Sequence, residues 1–454
     1  MIKREWLIEK AQKVRKADYI DPALYRKYGV KRGLRNDDGM GVLVGLTTIG
    51  NVHGYVVSEG EKIAIPGELY YRGINVKDLV AADRKEHRYG YEECAYLLMF
   101  GELPTARELV DWKAKLGMYR KLSDGFKENA ILRHPSADIM NAIARAVLFA
   151  MAFEEVPEQD AINDLSIETC LERSIALISV MPTIAAYAYQ AKVHYHMGGS
   201  LMIRNPDPKK SSAENFLSLI RDDGRYTRLE AETLDLSLIL HAEHGGGNNS
   251  SFVTHVVTSA HTDIYSSIAA SVLSLKGSRH GGANLRVMKQ MDEIKENVKD
   301  WRDPKAVEAY LRKIAEKKAG DGTGLIYGLG HAVYTVSDPR AKLLKRKAKE
   351  LARAKNRLDE MKLYEMVEEF GPAIIKELHP RAEDVCANVD LYSGFVYDML
   401  NIPRDLYTPL FAVGRCVSWC AHRMEELINN GPILRPAYKP LFRPKTYVPL
   451  KDRR

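Results

Sequence analysis

The chain lacks an uninterrupted apolar run approaching the roughly 18 residues of a membrane-spanning helix, so no membrane partner is expected. It opens Met1-Ile2-Lys3-Arg4-Glu5-Trp6, with charges where a secretory leader needs apolar residues, and the expected location is cytoplasmic. Cysteine is scarce. Cys94, Cys170, Cys386, Cys416 and Cys420 are odd in number and contain no C-x-x-C pair, which argues against a disulfide scaffold or a cysteine-based zinc module. Charge of one sign is not in large excess: 67 Lys and Arg against 60 Asp and Glu give a net +7, dispersed along the chain, which suits anionic small molecules and argues against nucleic acid. The basic stretch Lys345-Arg346-Lys347-Ala348-Lys349 has no interleaved aromatics and reads as a solvated helix face. Alternating strand patterns are few, and no short repeat of the solenoid kind occurs.

Helical periodicity is what the chain has instead. Met140, Ile143, Val147 and Met151 recur at three- and four-residue spacing and make one apolar face. Asp303-Pro304 reads as an N-cap with proline at the first helical position, followed by the stripe Val307, Leu311, Ile314, with Gly320 expected to end the helix. A charged helical segment is expected over about residues 341–368, with Leu344, Ala348 and Leu351 on one side. The best strand candidate is Ile63-Ala64-Ile65, within a small sheet or hairpin near residues 45–75. The expected fold class is therefore all-α. The length of 454 residues suggests more than one domain.

Three segments carry the chemistry. Gly277-Ser278-Arg279-His280-Gly281-Gly282-Ala283-Asn284 and Gly328-Leu329-Gly330-His331 set histidines in glycine-rich turns, the second running on to Asp338-Pro339-Arg340. Asn388-Val389-Asp390 adds a carboxylate among apolar neighbours. Two neutral donors and one carboxylate base suffice to remove a proton beside a carbonyl and stabilise the enolate. His280 precedes an expected helix from Ala283 to Met291, whose positive end disfavours imidazolium; it can equally be a backbone cap. Asp390 reads either as a desolvated base or as a cap for a helix from Tyr392. Arg340 suits a substrate carboxylate. A dinucleotide fingerprint at Gly328-x-Gly330 fails, because no x-x-Gly follows and the preceding segment is not a strand.

His241-Ala242-Glu243-His244 suggests a metal, and a metal-dependent hydrolase is the rival reading of another class. The histidines are only three apart, however, no H-E-x-x-H occurs, and no third ligand stands at recognisable spacing, so no functional metal, and no stoichiometric zinc, is expected in the protein.

Together with Leu69-Tyr70-Tyr71-Arg72-Gly73 and Gly101-Glu102-Leu103-Pro104-Thr105, these blocks resemble the citrate synthase family, including 2-methylcitrate synthase, from about residue 42 to the end. The resemblance implies a homodimeric acyltransferase with no cofactor, condensing acetyl-CoA with oxaloacetate; propionyl-CoA is the alternative substrate. It implies that His280 holds the thioester carbonyl, Asp390 takes the methyl proton and His331 polarises the ketone. Arg340, Arg415 and Arg435 would bind oxaloacetate carboxylates, Arg435 from the partner subunit, with His244 and Asn248 as further contacts. Gly328, Leu329 and Gly330 would line the CoA loop. The implied organisation is an N-terminal extension (1–41) that adds a helix at the dimer surface, a large domain (42–280 and 387–454) and an inserted small domain (281–386) that closes over the substrates. Arg279 and Gly245 depart from the family pattern.

Overall fold

The computed structural model describes residues 3–36, 39–59, 61–153, 166–380 and 384–453. Contacts divide the chain into two compact units, residues 1–46 and 47–454. The first carries two helices, Arg4–Ala17 and Pro22–Lys27, neither with a buried residue.

The second unit is mostly helical and, among the described residues, has one sheet, in the order β1 (Gly50–Ser58), β2 (Glu61–Tyr71), β3 (Ile74–Asn75), all antiparallel. Register runs from Gly50↔Tyr71 to Ser58↔Glu61, with an irregularity between His53 and Tyr55. Gly67 in β2 donates its amide to the Ser337 carbonyl at 3.0 Å. A Cβ at Gly67 would sit 2.2 Å from that oxygen, so only glycine lets the hairpin approach the segment after His331.

The core is organised around the helix Tyr407–Asn429. It packs against Tyr91–Phe100, Ile167–Met197, Arg228–Ala242, Asn249–Thr258 and Ile264–Lys276. Trp419 and Arg423 on it are fully buried. Ile167–Met197 is long and apolar enough to cross a membrane by length and composition, yet most of its apolar window is buried inside the protein. Its Ser166 N-cap accepts the Thr169 amide, and Gly198 (φ 74°) ends it in the left-handed conformation. This is a core helix, apolar on nearly every side because neighbours surround it.

Several local expectations meet the structure closely. Met140, Ile143 and Val147 are buried on the helix Ile139–Ala150, while Met151 falls in the following 3-10 turn. The helix Pro304–Ala315 has Asp303 as N-cap, accepting the Lys305 amide. It ends before Gly320, however: Lys317 takes the left-handed conformation (φ 63°), and its amide already closes onto Ile314. The charged segment is two helices, Pro339–Ala354 and Leu358–Leu378, broken where Asn356 turns left-handed (φ 56°). Asp390 is not a cap. Asn388 caps the helix Val389–Met399 by accepting the Asp390 amide at 3.0 Å.

Candidate active site

Each expected side chain is held by a different element. His331 follows Gly328 and Gly330, which adopt φ of 89° and 88°. Residues 328–330 pair with 386–388: Gly330 donates its amide to the Cys386 carbonyl at 2.8 Å, Asn388 donates its amide to Gly328 at 2.9 Å, and Leu329 bridges Ala387. This short antiparallel pairing joins the His331 loop to the helix that carries Asp390.

His331 Nδ1 accepts two backbone amides, from Val333 at 3.0 Å and Tyr334 at 3.1 Å. An imidazole nitrogen that accepts carries no proton, so the pattern assigns the proton to Nε2. The ring stacks on Tyr334 (centroids 4.6 Å apart, 24°), and Tyr334 is pinned by its hydroxyl, which donates to the Glu68 carbonyl in β2 at 3.2 Å. His244 meets His331 edge-on at 5.0 Å and Tyr334 at 5.7 Å. Burial, with Arg340, His331 and Arg415 nearby, holds His244 well below the usual histidine range. Its Nε2 is buried without a hydrogen-bond partner.

Two buried guanidiniums approach these rings. Arg340 is gripped by Asp338, with Nε to Oδ1 at 3.1 Å and Nη2 to Oδ2 at 2.8 Å. Burial opposes its charge, but Asp338 more than offsets that. Arg415 spends its Nε on the His241 carbonyl at 2.6 Å. Burial lowers its proton affinity, partly countered by Glu243.

Asp390 senses the charges of Arg340 and Asp338. Burial pushes its carboxyl up to about 6, with Arg340 pulling down and Asp338 pushing up. His280 lies three residues before the helix Ala283–Asn297. Its Nε2 accepts the Ser250 amide at 3.3 Å and lies 3.2 Å from the Ser250 hydroxyl, which leaves the proton on Nδ1. Burial and then Arg415 hold it down to about 4, so it is neutral at physiological pH. Asn248 accepts the Ser250 hydroxyl at 3.0 Å, and Trp419 Nε1 donates to the same hydroxyl at 3.2 Å.

The geometry thus joins His244, His331, Arg340, Arg415 and Asp390 through ring contacts and shared charge, with His280 and Asn248 linked to them through Ser250 and the charge of Arg415. Arg435 stands apart. It is exposed on the irregular tail, and no hydrogen bond or ion pair joins it to the other described site residues of its own chain. Arg279 is exposed as well. His241 is fully buried, its Nε2 2.5 Å from the Tyr397 hydroxyl and its ring stacked on Phe411, a core position rather than a metal ligand beside His244.

Sequence reading missed Tyr334, Asp338 and Ser250 as supports. Asp338 stood in the quoted Asp-Pro-Arg block, and its carboxylate two residues before a buried arginine was a usable signal. Ser250 carried none, since it meets His280 only through the packing of two helices.

The chain has known relatives in sequence and fold. A family model described as "Citrate synthase, C-terminal domain" matches residues 38–437. The citrate synthase of Haloferax volcanii is 33% identical over 393 residues, covering 85% of this chain and 93% of the relative. The 2-methylcitrate synthase 1 of Corynebacterium glutamicum is 32% identical over 394 residues, covering 85% and 92%. The citrate synthase of Thermoplasma acidophilum, solved as a ternary complex with carboxymethyl coenzyme A and oxaloacetate, superposes with a TM-score of 0.75 at 28% identity, covering 93% of this chain and 99% of that one. A carboxylate and two neutral histidines among buried arginines, on a matching helical fold, have one consistent reading: the chain belongs to the citrate synthase family of acyltransferases.

Proposed function

We propose that the protein condenses acetyl-CoA with oxaloacetate and water to give citrate and CoA. The observation that carries this reading is the pair of tautomers: His280 keeps its proton on Nδ1 and His331 on Nε2, two neutral donors beside a carboxyl raised to about 6.

Asp390, ionised at neutral pH, takes a proton from the thioester methyl. His280 donates a hydrogen bond to the thioester oxygen and stabilises the enol that forms. The enol carbon attacks the ketone carbon of oxaloacetate; the enol oxygen returns to a thioester carbonyl, and the former ketone oxygen, polarised by His331, takes up a proton to become the citryl hydroxyl. Water then cleaves the citryl thioester and releases CoA. Neutral donors suit this chemistry, because each can stabilise the negative charge that develops on a carbonyl oxygen. Arg340 and Arg415 bind the dicarboxylate, with His244 Nε2 and Asn248 as further contacts. The Gly328–Leu329–Gly330 turn takes part of CoA. Residues 281–386 act as a small domain that closes over the substrates and keeps water from the enol.

Arg435 completes the site of a partner subunit in a homodimer. Its exposed, irregular segment supports this, as do Tyr438, Phe442, Tyr447 and Leu450, which are all strongly exposed on the same tail and offer apolar surface to a second copy.

Propionyl-CoA in place of acetyl-CoA, giving 2-methylcitrate, is the second reading. Citrate and 2-methylcitrate synthases are alike in identity to this chain, at 33% and 32%. One methylene in a pocket is worth about 1–3 kcal/mol. Steady-state kinetics with both thioesters and oxaloacetate test the proposal. A higher kcat/KM for propionyl-CoA overturns the citrate assignment, and no condensation with either overturns the proposed activity.

A further inference from the structure

A second cluster of titratable groups lies outside the residues that carry the condensation. Helix Asn249–Thr258 contributes His255, and helix Tyr407–Asn429 contributes His422, Glu425 and Glu426. His255 Nε2 and His422 Nδ1 face each other at 3.2 Å, and Glu425 Oε2 lies 3.6 Å from His422 Nδ1. All three ligand-type atoms lie within 4.8 Å of one another. Two nitrogens on a tetrahedral zinc ion stand roughly 3.3 Å apart, given Zn–N bonds of about 2.0–2.1 Å.

The outer nitrogens complete the pattern. His255 Nδ1 is 2.8 Å from Glu426 Oε2, and His422 Nε2 is 3.3 Å from both oxygens of Glu243. Each ring therefore directs its far N–H to a carboxylate and its near nitrogen inward, which is how metal-bound histidines are oriented. Glu425 follows suit: its Oε1 accepts the Thr48 amide at 2.6 Å and hydroxyl at 2.9 Å, while its Oε2 is buried without a hydrogen-bond partner. With both far nitrogens protonated, the facing nitrogens need a cation between them, either a proton or a metal.

No side chain projects from Gly246 toward the facing nitrogens. The chain passes the two facing nitrogens at Gly246, and a Cβ there would come within 3.6 Å of His255 Nε2 and 3.8 Å of His422 Nδ1. His255 and Glu426 retain 13% and 19% of their side-chain exposure, which gives an entry route from solvent.

We propose that His255 Nε2, His422 Nδ1 and Glu425 Oε2 bind a divalent first-row transition-metal ion of the zinc type, with water as fourth ligand. The ion replaces the proton between the two rings and ties helix Asn249–Thr258 to helix Tyr407–Asn429. Its role is structural. Glu243, which orients His422, also receives the Gly245 amide next to His244, so the ion stiffens the loop that carries a candidate substrate contact.

The test uses the full chain, stripped with a strong chelator and titrated with zinc against a chromophoric competitor. One zinc per chain is expected, with a thermal midpoint raised by about 3 °C at a hundredfold excess over Kd. His255→Ala should abolish both effects, and Glu426→Gln should weaken binding about tenfold. The double variant His194→Ala, His196→Ala, which removes exposed surface histidines, should bind as wild type. Because His255→Ala removes a part-buried ring, cobalt-substituted wild type gives a reading that needs no variant. Strong visible bands of a tetrahedral ion are expected. No stoichiometric uptake, uptake that survives in folded His255→Ala, or the weak spectrum of a six-coordinate surface ion overturns the proposal and leaves the proton as the occupant.

Discussion

Asn388 ties the two halves of the candidate site together: its Nδ2 donates to the Gly330 carbonyl at 2.9 Å, one residue before His331, and its Oδ1 accepts the Asp390 amide at 3.0 Å. One side chain thus sets the distance between the proposed base and the proposed electrophile. Asn388→Ala should lower kcat more than it raises KM for oxaloacetate, by about tenfold or more, because small misplacements of reacting groups are costly. An unchanged kcat would show that the backbone pairing of 328–330 with 386–388 suffices.

Asp390→Asn should reduce turnover by about 10²–10⁴-fold, the usual contribution of a general base. Oxaloacetate binding should survive, since Arg340 and Arg415 remain. Calorimetry on the variant measures the binding, and retention of more than about a tenth of wild-type turnover would remove Asp390 from the role of base.

The pH profile follows from the same carboxyl. Asp390 must be ionised to act, and burial raises it to about 6. As pH falls through 6 the protonated, inactive form accumulates, so kcat/KM for the thioester should drop about tenfold per pH unit below that point. His280, held down to about 4, stays neutral over this range and adds no limb of its own. A profile that stays flat to pH 5 contradicts the assignment.

The two tautomers predict opposite tolerances. A glutamine amide nitrogen can stand where His Nε2 does, and an asparagine amide nitrogen where Nδ1 does. His331→Gln should therefore keep more activity than His331→Asn, whereas His280→Asn should exceed His280→Gln. Each gap should be at least about tenfold, since one donor to a developing oxyanion is worth about 10²–10³. The same order at both positions would refute one of the two proton assignments.

Subunit mixing tests the shared site. Arg435→Ala and Asp390→Asn, each inactive alone, place their defects in different chains of a mixed dimer. One site then carries both lesions and the other carries neither. Random co-refolding should recover about a quarter of wild-type activity, as half the dimers are mixed and each has one intact site. Mixed dimers with no recovered activity would mean that Arg435 acts within its own chain or not at all.

The sequence by itself determined the helical character, the Asp303 cap, the small sheet and the blocks around His280, His331 and Asp390. Caps, periodicity and glycine-flanked turns are local, and local steric and hydrogen-bonding rules act on neighbours in the chain. What only the tertiary structure decided is which nitrogen of each histidine holds its proton. Ser250 reaches His280 from 30 residues away because two helices pack together, and no spacing rule announces that contact. The rise of Asp390 to about 6 likewise depends on burial, held in check by Arg340, which lies 50 residues earlier in the chain. The facing rings of His255 and His422 are 167 residues apart and belong to no motif. Charge and hydrogen bonding act through space, and the fold alone brought these groups within range.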